Sequence, residues 1–409
     1  MTRMKRNGLG GQGRSTGIGS QNFPCNIAWN FLQRLPPIAM YDVNTAESPP
    51  LFANFLLSFH SAMLLIFFCA HHQKSARRAA KPAKKPHMKR TLGRSGIEVS
   101  GLGLGCWAIG GLVWQDHRPF GTTGTDDCES IRALRRGLDL GINFFDTSNS
   151  YGAGHSEKLI GKAFEGRRDE VVIATKFGRS FDEAARTVGP ECYDPDSIRS
   201  DCEASLRRMK TTVIDLYQFH IKHCDPVEAV DIRGVLEGLV DAGKIRAYGW
   251  STNLPECATI FAEGARCTAI QLHFSVFGGA EAALALCEKH NLASIVRGPL
   301  QKGLLTGKFT EETTFPPDDI RHSWNMKEAS QKELLAKMEA IRDVLASRGR
   351  TPAQGALCWL WAKSPVMIPI PGFKTVAQVE ENAGAMSFGS LNDGEMKEID
   401  ALLERTESA

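Results

Sequence analysis

Three short apolar runs in this chain each end in one reactive side chain. Ile142-Asn143-Phe144-Phe145 ends in Asp146, Val171-Val172-Ile173-Ala174-Thr175 in Lys176, and Ile214-Asp215-Leu216-Tyr217-Gln218-Phe219 in His220. The runs read as buried parallel strands, whose faces are covered on both sides. Helical periodicity alternates with them. Lys89 to Ser100 reads as a β-hairpin turning at Arg94-Ser95-Gly96. After it the pattern predicts strand 102–106, helix 126–140, strand 142–146, helix 155–165, strand 171–176, helix 195–209 and strand 214–220. Helix 226–242, strand 245–250, helix 254–263, strand 268–273, helix 280–290 and strand 293–297 follow. Helices 328–347 and 352–363, strand 366–370, helix 375–386 and an extra C-terminal helix 391–405 complete the series. The long segments 112–125 and 178–194 carry no periodicity that assigns them a type.

About eight strands with interleaved helices over some 320 residues is the usual size of one (β/α)₈ barrel. A doubly wound sheet has the same local pattern, but strand count and the lack of a midpoint favour the barrel. The predicted class is therefore α/β, a TIM barrel with an N-terminal hairpin and an extra C-terminal helix. Gly101-Leu102-Gly103-Leu104-Gly105 imitates part of a dinucleotide fingerprint. Its glycines lie within a strand rather than between strand and helix, so a structural role is expected.

Charge divides the chain. Residues 1–87 carry eleven Lys/Arg against two Asp/Glu, a net +9, whereas the remainder is −6. A mildly acidic body argues against nucleic-acid binding. Residues 1–20 are Gly-rich, basic and aperiodic, and read as disordered. Residues 51–70 are mostly apolar and long enough to span a bilayer, and a basic cluster follows from Lys74 to Lys85. Met88-Lys89-Arg90 opens the globular pattern. The expectation is thus an N-terminal extension over 1–87, from a misassigned start or serving as a membrane tether, and a cytoplasmic catalytic domain over 88–409. Eleven scattered cysteines show no C-x-x-C and no metal-ligand spacing, which indicates free thiols in a reducing compartment and no metal site.

Strand-end positions gather at one pole of such a barrel, the pole where its chemistry occurs. There Asp146, Lys176 and His220 meet Tyr151, five residues beyond Asp146. Hydride arriving at a carbonyl carbon leaves negative charge on oxygen, which needs a proton. A phenol gives one poorly at its ordinary pKa of about 10. An adjacent ammonium is expected to lower that pKa, a carboxylate to keep the ammonium charged, and an imidazole to hold the substrate oxygen.

Residues 88–409 resemble the aldo-keto reductases, NADP-dependent (β/α)₈ barrels. The matching blocks are Gly141-Ile142-Asn143-Phe144-Phe145-Asp146-Thr147-Ser148-Asn149-Ser150-Tyr151-Gly152, Ser156-Glu157, Ala174-Thr175-Lys176-Phe177-Gly178 and Asp215-Leu216-Tyr217-Gln218-Phe219-His220. The resemblance implies Tyr151 as proton donor, Lys176 and Asp146 as the pair tuning it, and His220 as substrate orienter. It implies NADP(H) as cofactor and a small carbonyl compound or the corresponding alcohol as substrate. Ser251 matches the residue that holds the nicotinamide carboxamide, with Thr252 in place of the usual Asn and Gln271 as its companion. Arg297-Gly298-Pro299-Leu300 stands where Tyr-Ser-Pro-Leu is usual, which puts a guanidinium in the place of a stacking ring. The loop Gly303 to Lys308 matches the cover of the pyrophosphate. Gly372, Lys374, Thr375, Gln378, Glu381 and Asn382 match the adenosine 2′-phosphate and adenine site, where a helix starting near Thr375 would lend backbone amides. Trp107 and Trp114 are expected to line the substrate pocket, with Phe181 and Trp324 as further aromatic candidates. Some members of the family serve instead as cofactor-binding sensors on potassium channels. Those carry Asn at the position of His220, so the histidine argues for an enzyme.

Overall fold

The computed structural model describes residues 88–116 and 118–403. The segment 51–70 lies outside them. Among the described residues no helix is long and apolar enough to cross a membrane.

The chain opens with the hairpin β1 (Lys89–Thr91) and β2 (Glu98–Ser100). Next come β3 (Gly103–Gly105), β4 (Val113–Gln115), β5 (Arg118–Phe120), α1 (Asp127–Asp139), β6 (Phe144–Asp146), α2 (His155–Ala163) and β7 (Val172–Phe177). Then follow β8 (Arg179–Asp182), β9 (Thr187–Glu191), α3 (Pro195–Arg208), β10 (Ile214–Phe219), α4 (Pro226–Asp241), β11 (Ile245–Ser251), α5 (Pro255–Ala262) and β12 (Cys267–Ser275). The remainder is β13 (Gly278–Gly279), α6 (Glu281–Lys289), β14 (Ala293–Arg297), α7 (Ala329–Ala346), α8 (Pro352–Lys363), β15 (Met367–Pro369), α9 (Val376–Gly384) and α10 (Asp393–Leu402). The helices start where the sequence supplies caps. Thr351 with Gln354 and Asn392 with Glu395 form capping boxes, and proline occupies the first turn of α3, α4, α5 and α8.

Eight parallel strands line up as β3-β6-β7-β10-β11-β12-β14-β15. A parallel bridge between Gly105 and Gly372 joins the two ends, and the Gly105 N–H donates to Pro371 O at 3.0 Å. A Cβ on Gly105 would stand 2.7 Å from Ile370 O, so the seam closes only on glycine. The glycines of 101–105 thus have the structural role read from the sequence.

The barrel interior follows from the two-residue period of strands. Phe144, Ala174, Leu216, Ala247, Ala269 and Ile295 form one apolar cluster with Leu92, Ile97 and Val99 of the hairpin segment, which plugs the pole where the strands begin. Two residues further along the same strands stand Asp146, Lys176, Gln218, Gly249, Gln271 and Arg297. One apolar layer is therefore followed by one largely polar layer facing the mouth.

The segments 112–125 and 178–194, untypeable in sequence, build a second sheet in the order β5-β4-β9-β8. Its one pairing between the two segments joins Trp114 to Thr187. Such pairing depends on residues more than seventy positions apart, and no local period records it.

Candidate active site

Lys176 is fully buried, and each of its three ammonium hydrogens has an acceptor. Nζ lies 2.5 Å from Asp146 Oδ1, 2.7 Å from Thr147 O and 3.2 Å from Tyr151 Oη. A buried ammonium persists only where it is paired in this way. The carboxylate is held in turn. Gln218 Nε2 and Gln271 Nε2 both donate to Asp146 Oδ2, at 2.9 and 2.8 Å. Asp146 therefore accepts from the two amides on one oxygen and from Lys176 on the other, and Lys176 also donates to the phenol oxygen. Tyr151 Oη accepts from Lys176, so its own O–H is left to donate towards the mouth, where the side chain is partly exposed.

The loop that carries Tyr151 is fastened backbone to backbone. Gly152 adopts φ +64°, and a Cβ there would fall 2.1 Å from Gly110 O. His220 meets the tyrosine edge to face, with ring centroids 5.9 Å apart, and its Nδ1 lies 3.3 Å from Ser148 Oγ.

The electrostatics correct one expectation. Desolvation raises the Tyr151 pKa, and the Lys176 charge opposes this without overcoming it, so the tyrosine is a neutral phenol. For Lys176 burial works downward, but Asp146 and then Tyr151 hold the pKa above its ordinary value. His220 is pushed well below its usual range by burial and by the cations Lys176, Arg297 and Arg179, and is a neutral imidazole.

Around this centre the other expected residues distribute unevenly. Ser251 Oγ lies 3.4 Å from Gln271 Oε1, next to the cluster. Thr252 turns inward, bonding Lys222 O at 2.8 Å and the Leu254 N–H at 3.1 Å, so its hydroxyl is occupied. The exposed amide belongs to Asn253, whose Oδ1 accepts from the His273 N–H at 2.9 Å and from Arg297 Nη2 at 3.1 Å. Arg297 is half-buried, lies within electrostatic reach of Tyr151, and has this neutral amide as its partner. Gly298, Pro299 and Leu300 lead into a tight turn in which Gln301, Lys302 and Gly303 all take positive φ.

Lys374 Nζ donates to Thr123 O at 2.7 Å, and its backbone N–H to Gln378 Oε1 at 2.7 Å. The first amides of α9 are not free as expected. Glu129 Oε1 takes the Val376 N–H at 2.8 Å, and the Thr375 hydroxyl takes that of Gln378. Gly372 is the seam residue opposite Gly105. Lys308 is exposed, 3.9 Å from Glu381, and Asn382 is buried on the face of α9 that carries Val379.

Among the aromatic candidates, Trp107 packs edge-on against Phe120 with centroids 6.2 Å apart. Trp114 is 43% exposed on β4 and not an enclosed lining residue. Phe181 stacks under Arg208, and Trp324 packs on Phe315 below Lys302. Four polar residues were missed in the sequence, namely Gln218, Asn253, Lys302 and Arg179. Gln218 alone had a signal, since it precedes His220 by two positions and so shares its side of the strand.

An eight-stranded parallel barrel with a buried Asp–Lys pair behind a phenol at its C-terminal mouth defines a class of barrel oxidoreductase. The sequence profile of the Aldo/keto reductase family matches residues 101–404, and the chain belongs to that family. It is 34% identical over 329 residues to the aldo-keto reductase YhdN of Bacillus subtilis, covering 77% of this chain and 93% of that protein. The glycerol dehydrogenase AKR11B4 of Gluconobacter oxydans superposes with a TM-score of 0.68 at 34% identity, over 79% of this chain and 98% of that one. An aldo/keto reductase of Klebsiella pneumoniae, solved with NADP and acetate, superposes with a TM-score of 0.58 at 25% identity, over 77% and 95%.

Proposed function

We propose that this chain is an NADPH-dependent carbonyl reductase, in which Tyr151 protonates the carbonyl oxygen as hydride reaches the carbonyl carbon. The observation that carries this reading is the use of all three Lys176 hydrogens, with one of them spent on Tyr151 Oη. A phenol that accepts from an ammonium and still holds its own proton donates to a substrate oxygen, and the ammonium stabilises the phenolate left behind. Asp146, fixed by Gln218 and Gln271, keeps Lys176 charged. His220 Nδ1 lies 3.3 Å from Ser148 Oγ; in the neutral tautomer in which Nδ1 accepts, Nε2–H is left to give the substrate oxygen a second hydrogen bond. The same groups run the reverse reaction, oxidation of an alcohol, by microscopic reversibility.

The cofactor reading draws on relatives that use NADP and on the charges beside the mouth. Arg297, Lys302 and Lys374 make close contacts with an amide, a tryptophan ring and a carbonyl, while Asp319 lies within electrostatic reach of both lysines and Asp318 of Lys374. Three cations along the β14 and β15 loops, none of them in a close ion pair with a carboxylate among the described residues, suit a pyrophosphate and a ribose phosphate. When bound, NADPH supplies the hydride. Ser251, Gln271 and Asn253 would hold the carboxamide end, Gly303 and Lys308 would cover the phosphates, and Lys374, Gln378 and Glu381 would meet the adenosine.

The test follows NADPH absorbance with a panel of aldehydes and ketones, for the full chain beside Tyr151→Phe. The expected result is turnover that collapses in the variant while NADPH affinity stays within a few-fold. Tight NADPH binding with no turnover on any carbonyl would replace this reading with that of a cofactor-binding sensor.

A further inference from the structure

The strands that carry Lys176 and Arg297, β7 and β14, are third and seventh in the eight-strand order, so they face each other across the mouth. Arg297 lies on the side of the basic β14 and β15 loops. Arg179 lies on the other side, at the start of β8, three residues beyond Lys176 and immediately after Gly178, which takes φ +120°. Arg179 thus follows the buried Lys176 at the mouth end of β7, and both guanidinium groups lie within electrostatic reach of the His220 ring. Lys176 is neutralised by Asp146. Arg179 is paired at 3.2 Å with Glu191, itself 45% exposed, an ion pair of the kind that a ligand displaces at little cost.

Resting on the carbonyl-reductase reading above, we propose that the substrate is an aldehyde or ketone bearing an anionic group, carboxylate or phosphate, and that Arg179 binds that group. The carbonyl oxygen is held between Tyr151 and His220, and the anion replaces Glu191 on the Arg179 fork. A guanidinium offers two parallel N–H bonds to a carboxylate or phosphate, which a neutral chain does not use. Assignment to the substrate rather than to cofactor phosphates follows from the strand order, because β7, which leads into Arg179, stands opposite β14, which leads into the turn carrying Lys302. Arg297, on the cofactor side, adds to the positive field without being the anchor.

The experiment measures kcat/KM of the full chain with matched aldehydes. Butyraldehyde is set against succinic semialdehyde, and glyceraldehyde against glyceraldehyde 3-phosphate. A preference of tenfold or more for a charged partner is expected, and the pair showing it separates carboxylate from phosphate. Arg179→Gln should lower the charged-to-neutral ratio at least tenfold, chiefly through KM, and Arg179→Lys should restore part of it. NADPH affinity reports that each variant is folded. Equal turnover of charged and neutral aldehydes by the parent, or an unchanged ratio in Arg179→Gln, overturns the proposal and leaves the carbonyl-reductase reading standing. Absence of turnover with every aldehyde overturns both.

Discussion

Gln271 and Asp146 are 125 residues apart in sequence, and the Gln271 side-chain amide donates to Asp146 Oδ2 at 2.8 Å. With Gln218 it fixes the carboxylate that faces Lys176, so a residue matched to cofactor binding also has a positioning task. Gln271→Met removes one donor from a buried carboxylate, a loss of about 1–3 kcal/mol where no other donor replaces it. Steady-state kinetics and NADPH titration should show kcat falling by about tenfold, which corresponds to about 1.4 kcal/mol in the barrier. A change in NADPH affinity with kcat intact would assign Gln271 to the cofactor alone.

The Lys176–Asp146 pair makes opposite demands on activity and stability. Lys176→Met leaves a buried carboxylate unpaired, a cost of about 3–5 kcal/mol. Adding Asp146→Asn removes that charge. The double variant should therefore be more stable to urea than Lys176→Met alone, yet no more active. Loss of the cation should reduce kcat/KM by about 10²–10⁴-fold in both. Recovery of turnover together with stability would refute the catalytic role given to the lysine.

Asp201 supplies a pH-dependent signature outside the tetrad. Its Oδ2 accepts from Asn149 Nδ2 at 3.1 Å, in the loop between Asp146 and Tyr151. Burial raises its carboxyl pKa to about 6, with Arg208 opposing and Glu157 adding to the shift. The unfolded value is about 3.9. Because the folded pKa is the higher one, the carboxyl's contribution to stability is complete below about pH 4 and is lost as pH rises through 6. Asp201→Asn keeps an acceptor for Asn149 and removes the charge. At pH 7.5 it should be the more stable form by about 1 kcal/mol after allowance for solvent screening, and the gain should vanish by about pH 4. Chemical denaturation at four or five pH values measures this.

Glu395 has the opposite sign. Burial disfavours its charge, but the Asn392 N–H, Arg350 and the Ser347 hydroxyl together lower its pKa to about 2. Its stabilisation is present above the unfolded pKa of about 4.3 and is lost as pH falls towards 2. Glu395→Gln should lower stability by about 2 kcal/mol at pH 7, less at pH 3, and loosen α10 against α7 and α8. Unchanged urea midpoints at pH 7 would refute it.

Asp146, Lys176 and His220 were legible because each interrupts an apolar run at its end, and the barrel brings strand ends to one pole. Tyr151 needed the longer motif around it. Thr252 stands in the motif where Asn is usual, but its hydroxyl bonds Lys222 O and the Leu254 N–H while Asn253 carries the exposed amide, because only the turn after β11 determines which of two neighbouring side chains points inward. Arg179 escaped because its segment has no period of its own. It becomes a strand by pairing with β9 through Arg179 and Glu191.

The sequence by itself determined the order of the barrel strands and helices, the caps that start several of them, and the Asp146, Lys176 and His220 positions at the strand ends. These follow from periodicity and composition within a dozen residues. Only the tertiary structure decided that Gly105 meets Gly372, that Arg179 pairs with Glu191 in a second sheet, and that burial outweighs the Lys176 charge at Tyr151. Each of those depends on distance and desolvation between residues of separate segments, which local pattern does not encode.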